Sequence, residues 1–426
     1  PASFACECGR VHACPIKETV IGPGAVFKVP GLLEGISSVL IVSDANTRPL
    51  VWEALAGSLS EAGIRFREAF FDTSEILVPN EEAIGFIDSK LEEAPSCDIE
   101  AVIGIGSGVI NDLCKYTSFK KNLPYMIIAT APSMDGFASV GAALILKGMK
   151  VTLSTHTPSW IVGDTGILKN APLEMIRAGI GDILGKYSCL NDWKLSHLIT
   201  GEYLCPAIYD MTLQEVKNTC EAITGCMKRD EAAIGALMEA LVGVGILMAY
   251  MGNSRPASGS EHHLSHFFEI TGVAFKEPYL PHGIDVGYAS LITASLRQML
   301  ALSDPSGFHY AFDPASWEQS IRSVYKGLAD EVIRLQQKTG FYQKDHLPFI
   351  KAHWNEIRRI LLDAPSRQEM EQMLAAAGFT YSEFETFYTK DRIRASIRWA
   401  KDLKDRYTLL WLLCNTSQLE PFAKQI

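Results

Sequence analysis

Ala101-Val-Ile-Gly-Ile-Gly106-Ser107-Gly108-Val109-Ile110-Asn111-Asp112 is the stretch that decides the fold. An apolar run ends in a glycine-rich turn, and the turn opens directly onto a helix start. Glycines let a backbone approach a pyrophosphate, and the free N–H groups of a helix N-terminus offer it partial positive charge. Gly-Ser-Gly is not the full six-residue dinucleotide fingerprint, so a purely structural strand-to-helix turn is the competing reading.

Working outward, Val39 to Val42, Tyr125 to Ala129 and Trp160 to Val162 are further short apolar runs, separated by helical periods such as Glu81 to Leu91. Such strands mark a parallel sheet covered on both faces. Ala142 to Leu146 and Val151 to Ser154 flank Lys147-Gly148-Met149-Lys150 and read as a hairpin with its turn. Asp44 closes the Val39 strand, where a carboxylate either caps the following turn or bonds a ribose hydroxyl, and Asn46 lies just beyond. Thr130-Ala131-Pro132-Ser133 ends another strand and should lie along the same sheet edge.

After residue 171 the spacing of apolar residues is helical through Glu174 to Leu198, Leu213 to Thr224, Arg229 to Tyr250 and on to Trp411. The expected architecture is therefore α/β plus all-α. A Rossmann-like parallel-sheet domain spans 1–170, a helical domain spans 171–426, the seam lies near Leu168 to Pro172, and the cleft between the halves is the default ligand site. Ala240 to Gly252 is uncharged, but thirteen residues fall short of the roughly 20 needed to span a bilayer, and Glu239 interrupts the longer apolar stretch. A buried core helix is expected there.

With 49 acidic and 39 basic residues and no long block of either sign, neither nucleic acid nor an anionic membrane is expected as the main partner. An anionic substrate would need its own cations. Lys147, Lys150 and Arg255 are the nearest to the motifs, and Arg255 has the planar fork that clamps phosphate. Ten cysteines in a chain of 426 residues, several inside apolar runs, indicate reduced thiols and, with an N-terminus unlike a signal peptide, a cytoplasmic protein.

Three segments of the helical half carry metal-ligand chemistry: Ala178 to Asp182, Ser258 to His266, and Leu280-Pro-His282-Gly283. One carboxylate and two imidazoles make a three-ligand divalent site with open positions, suited to polarising a substrate oxygen. Spacing alone does not select these from ten histidines. His262 and His266, four apart, project from one helix face. Cys6-Glu-Cys8, with His12 and Cys14, lacks the two-to-four-residue gap of paired zinc ligands and is not expected to bind metal.

Gly106 to Asp112, Ala131-Pro-Ser-Met-Asp135-Gly, Ser254-Arg-Pro-Ala-Ser-Gly-Ser-Glu-His262 and Pro281-His282-Gly together resemble the sn-glycerol-1-phosphate dehydrogenase family, of the iron-containing alcohol dehydrogenase and dehydroquinate synthase superfamily. The resemblance runs from Cys6-Glu-Cys8-Gly to Asp405-Arg-Tyr-Thr-Leu-Leu. It implies NAD(H) or NADP(H) and one divalent ion, zinc or nickel before iron, held by Asp182, His262 and His282. It implies substrate contacts from Asp135, Asp182 and His266, which are also the catalytic candidates, and dinucleotide contacts from Gly108, Val109, Ile110, Asn111 and Asp112, from Thr130 to Ser133, and from Ser139. Arg255 and Lys150 are similar in placement to phosphonate-binding residues of dehydroquinate synthases.

The implied reaction is metal-assisted hydride transfer to dihydroxyacetone phosphate, giving sn-glycerol 1-phosphate for ether-type or other glycerophospholipids, in a homo-oligomer, with His266 in the proton path. The rival readings are a dehydrogenase of glycerol or another polyol, a dehydroquinate-synthase-like lyase, and a non-catalytic binding protein. The lyase is disfavoured because Val140-Gly141-Ala142-Ala143 lacks the lysine those enzymes carry after the glycine pair.

Overall fold

Six strands form one parallel sheet: β3 (Glu18–Gly22), β4 (Ser38–Asp44), β5 (Arg65–Phe71), β6 (Ala101–Gly106), β7 (Tyr125–Ala129) and β10 (Trp160–Asp164). Their order is β3-β10-β7-β6-β4-β5. Two hairpins accompany it, β1 (Phe4–Ala5) with β2 (Val11–His12) and β8 (Gly141–Leu146) with β9 (Met149–Ser154). The computed structural model describes residues 3–73, 76–93, 99–147 and 149–426; the expected turn residue Gly148 lies outside them.

The four interior strands are those expected from their apolar runs, and β6, β7 and β10 are buried at every residue. β3 and β5 were not expected. Both are edge strands, half exposed, and Glu-Thr-Val-Ile-Gly and Arg-Phe-Arg-Glu-Ala-Phe-Phe carry the charges that an edge tolerates.

Ten helices matter for the site: α1 (Val29–Leu32), α2 (Arg48–Glu61), α3 (Glu81–Glu92), α4 (Gly108–Lys121), α5 (Thr165–Leu168), α6 (Leu173–Thr200), α7 (Pro206–Met227), α8 (Glu231–Met251), α9 (Ser260–Phe275) and α10 (His282–Ala301). Local chemistry sets several ends. The Asn80 side chain accepts from Ala83 N to start α3, and Asp230 does the same for Ala233 N at α8. Helices account for all regular structure after β10 among the described residues.

The chain divides into two compact units that are discontinuous in sequence. One comprises Pro1–Ile183 with Lys217–Ser254; the other comprises Leu184–Val216 with Arg255–Ile426. This differs from a single seam at 170/171. The physical reason is α8, which apart from Glu231 and Glu239 is apolar and is long enough by length and composition to cross a membrane. It is packed within the sheet-containing unit, where Met238 meets Gly163 of β10 and Gly245 meets Asp135 and Ala138. In the helical unit, the segment around residues 302–345 is anchored on one buried carboxylate. Trp317 Nε1 and the Tyr342 hydroxyl both donate to Asp402, at 3.2 and 2.7 Å.

Candidate active site

In the sheet unit, β4 is flanked by β5 on one side and β6 on the other, so the chain reverses its direction of winding between β4 and β6. The crevice beyond the carboxyl ends of strands at such a point is where open α/β sheets bind ligands. Asp44 ends β4 there, and Gly106-Ser107-Gly108 joins β6 to α4. A Cβ on Gly106 would lie 2.6 Å from Ile110, whereas one on Gly108 would meet only the Met134 side chain at 3.4 Å. Gly106 thus serves the strand-helix packing, and Gly108 leaves the helix N-terminus open to approach. The Ser107 and Ser133 hydroxyls lie 2.5 Å apart, and Thr130 N donates to Gly106 O at 3.1 Å. The Thr130 to Ser133 segment therefore lies beside the glycine turn, as expected.

Several expected cofactor residues have structural duties. Asp44 Oδ1 accepts from Asn46 N, Thr47 N and the Thr47 hydroxyl at 2.8 to 2.9 Å, which is the turn-capping alternative. Ile110 and Asn111 are buried, and Asn111 accepts from the Tyr125 hydroxyl at 2.8 Å, so toward a ligand they can offer only backbone. Asp112 accepts from Ala143 N at 3.1 Å, and burial raises its carboxyl above the usual range against the pull of Lys115. The Ser139 hydroxyl donates to Gly136 O and accepts from Lys115. Ala131 and Pro132 sit on the packed exit of β7.

Lys115 was not expected. Fully buried in α4, it donates to Gly136 O and Gly141 O, both at 2.9 Å, and burial lowers its pKa to about 8 although Asp112 and Asp135 oppose that shift. A charged residue on an otherwise apolar helix face, three after Asp112, was the available signal. The short turn Asp135–Ala138 that it holds is gripped from other sides too. Asp135 N donates to Asp182 Oδ2 at 2.9 Å, and Asp182 is fully buried. One turn earlier in α6, a Cβ on Gly179 would stand 2.0 Å from Pro132 O, so only glycine lets α6 lie against the exit of β7. Asp135 and Asp182 are thereby held by one hydrogen bond within this unit.

In the helical unit, α9 and the start of α10 bring three histidines together. Ring centroids are 5.2 Å apart for His262 and His282, 5.4 Å for His266 and His282, and 6.0 Å for His262 and His266. His262 Nδ1 lies 2.7 Å from Glu261 Oε1, and His282 Nδ1 lies 3.0 Å from Glu269 Oε1. A carboxylate beside Nδ1 holds that proton in place and leaves Nε2 as the lone-pair side, the arrangement that orients histidine ligands of a metal. Glu261 and Glu269, both buried, were missed, although each is adjacent or helically spaced to a candidate histidine. Burial, with the Lys404 charge second, pushes His266 well below its ordinary pKa. It is neutral at pH 7 and can relay a proton between its ring nitrogens rather than store one. Glu261→Gln and Glu269→Gln are each expected to weaken metal retention by about 10- to 100-fold, measured by competition with a chromogenic chelator; unchanged affinity in both would remove the orienting role.

Arg255, expected at the phosphate, is 2% exposed; its Nη2 pairs with Glu202 at 2.8 Å and donates to Tyr407 O at 2.8 Å and Asp192 O at 3.3 Å, so that arm of its fork ties chain segments together. Arg255→Ala is expected to cost about 1.5–3 kcal/mol of stability, as losing hydrogen bonds to a charged group does, seen as a lowered denaturation midpoint; a stable variant with only a raised KM would support the phosphate role. Lys150 lies on β9 opposite Ile145, with its charge acting on Asp112.

A family model described as Iron-containing alcohol dehydrogenase matches residues 20–172. The NAD(P)+ glycerol-1-phosphate dehydrogenase of Geobacillus stearothermophilus is 30% identical, covering 96% of this chain and 95% of its own. That of Bacillus subtilis (strain 168) is 34% identical over 74% of this chain and 78% of its own. Among solved structures, alcohol dehydrogenase from Oenococcus oeni covers 96% of this chain and 98% of its own at 13% identity, with a TM-score of 0.64. The fold is accordingly that of the iron-type alcohol dehydrogenases, a class of nicotinamide-linked oxidoreductases. Within that class, the chain belongs to the glycerol-1-phosphate dehydrogenase family.

Proposed function

We propose that this protein catalyses the reversible, metal-dependent reduction of dihydroxyacetone phosphate to sn-glycerol 1-phosphate with NADH or NADPH. The observation that carries the reading is the pair of imidazoles, His262 and His282, each with its Nδ1 held by a buried glutamate. With Asp182 as the one carboxylate, the family resemblance implies a donor set suited to zinc, nickel or iron with positions left for substrate. A bound divalent ion supplies Lewis-acid polarisation of the substrate carbonyl and stabilisation of the alkoxide formed from it. The reduced nicotinamide supplies the hydride.

The chain's own part is positioning and proton movement. Gly108 and the N-terminus of α4 accept the pyrophosphate, with Ser107 and the Thr130 to Ser133 exit alongside. Asp135, fixed through its backbone to Asp182, contacts the substrate hydroxyls. His266, neutral and stacked on His282 at 25°, passes a proton toward the alkoxide oxygen. His266→Ala is expected to lower kcat by about 10²- to 10⁴-fold, the usual contribution of a proton-transfer group, with little change in metal content; full turnover at neutral pH would end that assignment. Lys150 and Arg255 are the candidates for the phosphate contact. A cytoplasmic enzyme feeding glycerophospholipid synthesis fits this chemistry.

The test is initial NADH oxidation by metal-loaded protein with dihydroxyacetone phosphate, beside unphosphorylated dihydroxyacetone and a chelated control. Turnover restricted to the phosphate and to the metal-loaded enzyme is expected. Preference for the unphosphorylated ketone would make the protein a glycerol dehydrogenase, and inactivity on both would overturn the reading.

A further inference from the structure

The N-terminal hairpin carries chemistry that the proposed reaction does not use. Cys6 N donates to Arg10 O and Gly9 N to Cys6 O, both at 3.0 Å, which folds Cys6-Glu-Cys8-Gly9 back toward β2. Gly9, at φ +86°, supplies the left-handed position of that turn. The result gathers Cys6 Sγ, Cys8 Sγ and a ring nitrogen of His12 within 4.8 Å of one another. Sequence spacing argued against metal here because the cysteines are separated by one residue; the turn overcomes that spacing.

We propose that Cys6, Cys8 and His12 are three ligands of a structural zinc site, separate from the Asp182, His262 and His282 set. His12 is 2% exposed, and its Nδ1 lies 3.1 Å from Tyr250 O near the end of α8. A carbonyl oxygen only accepts, so Nδ1 carries the ring proton and Nε2 presents its lone pair. Nε2 faces Cys8 Sγ at 3.5 Å. A tetrahedral zinc with bonds of about 2.0 Å to nitrogen and 2.3 Å to sulfur sets these two atoms roughly 3.5 Å apart. The spacing therefore matches a metal edge as well as an S–H···N hydrogen bond, and the experiment separates the two.

Charge and stability agree with this assignment. On binding, both thiols release their protons to solvent, and two thiolates with a neutral imidazole balance one divalent ion. A structural zinc takes one further donor in addition to these three. The two strands have two residues each and pack mainly through Phe4, whose ring lies 5.2 Å from His12 and 5.4 Å from Tyr250. So small an element needs a staple, and zinc would pin it to the end of α8, immediately before the Ser254-Arg255-Pro256 segment.

The catalytic donor set contains no thiol, so a cobalt-substituted full chain reports the two sites separately. Thiolate-to-cobalt charge-transfer absorption in the near ultraviolet is expected from the reduced wild-type protein, with two metal equivalents per chain. Cys6→Ser/Cys8→Ser should abolish that absorption and lose one equivalent while keeping reductase activity. As a check that needs no variant, zinc-loaded wild type should protect Cys6 and Cys8, but not Cys14, from alkylation read by mass spectrometry. Absence of the absorption in the wild type, its persistence in the double variant, or alkylation of Cys6 and Cys8 at equal rates with and without zinc would each overturn the proposal.

Discussion

His262→Ala, like exhaustive chelation of the wild type, is expected to lower kcat/KM for dihydroxyacetone phosphate by roughly a thousandfold, since a metal's charge stabilisation amounts to several kcal/mol and each tenfold in rate corresponds to about 1.4 kcal/mol. The reasoning runs through Glu261. It is buried, its Oε1 accepts from Gly259 N at 2.9 Å, and it holds His262 Nδ1. Removing the imidazole takes away a ligand that was oriented before any ion arrived and leaves that carboxylate without its partner in a dry setting. Loss of about one metal equivalent per chain should accompany the loss of rate. Retention of both would mean that His262 is a packing histidine and that the donor set lies elsewhere. Re-addition of zinc or nickel should restore the chelated wild type but not the variant.

Gly179→Ala should be nearly as damaging although Gly179 carries no chemistry. Its added methyl would stand 2.0 Å from Pro132 O, 3.0 Å from Pro132 C and 3.1 Å from Leu241 Cδ1. The first two are backbone atoms and cannot rotate away. Helix α6 or the β7 exit must move, at a cost of about 3 kcal/mol, the upper part of the usual range for overpacking. Asp182 and the Asp135 turn move with them, and a shift of about 1 Å in a positioning element lowers rate by roughly a hundredfold. Gly85→Ala is the control. That glycine is exposed on α3 with nothing within 4 Å of its added methyl, so alanine should raise stability by about 0.5–1 kcal/mol. Thermal unfolding and steady-state rates on the two variants check both; equal behaviour would show that the β7 exit adapts.

Legibility in sequence followed burial. The interior strands were visible because both faces are covered, which leaves an unbroken apolar run such as Val-Leu-Ile-Val in β4. β5 was not, because an edge strand admits Arg65, Arg67 and Glu68 among its aromatics, and that pattern has no single period. The three histidines were marked by motif resemblance. Glu261 and Glu269 were not, since a glutamate on a helix is ordinarily solvated, and only the fold removes these two from water. Arg255 shows the converse: its planar fork was visible in the sequence, but that Glu202 and two carbonyls meet its Nη2 was not.

What the sequence determined by itself is local. Its apolar runs give strands, its 3.6-residue spacings give helices, and the glycine turn after β6 places an open helix N-terminus at a strand end, because each of these depends on neighbours along the chain. What only the tertiary structure decided is partnership. The grouping of α8 with the sheet, the carboxylates behind His262 and His282, the closeness that makes Gly179 irreplaceable, and the gathering of Cys6, Cys8 and His12 all depend on which distant or turned-back atoms arrive within bonding distance. No periodicity records that, because it is set by packing and by the removal of water rather than by order along the chain.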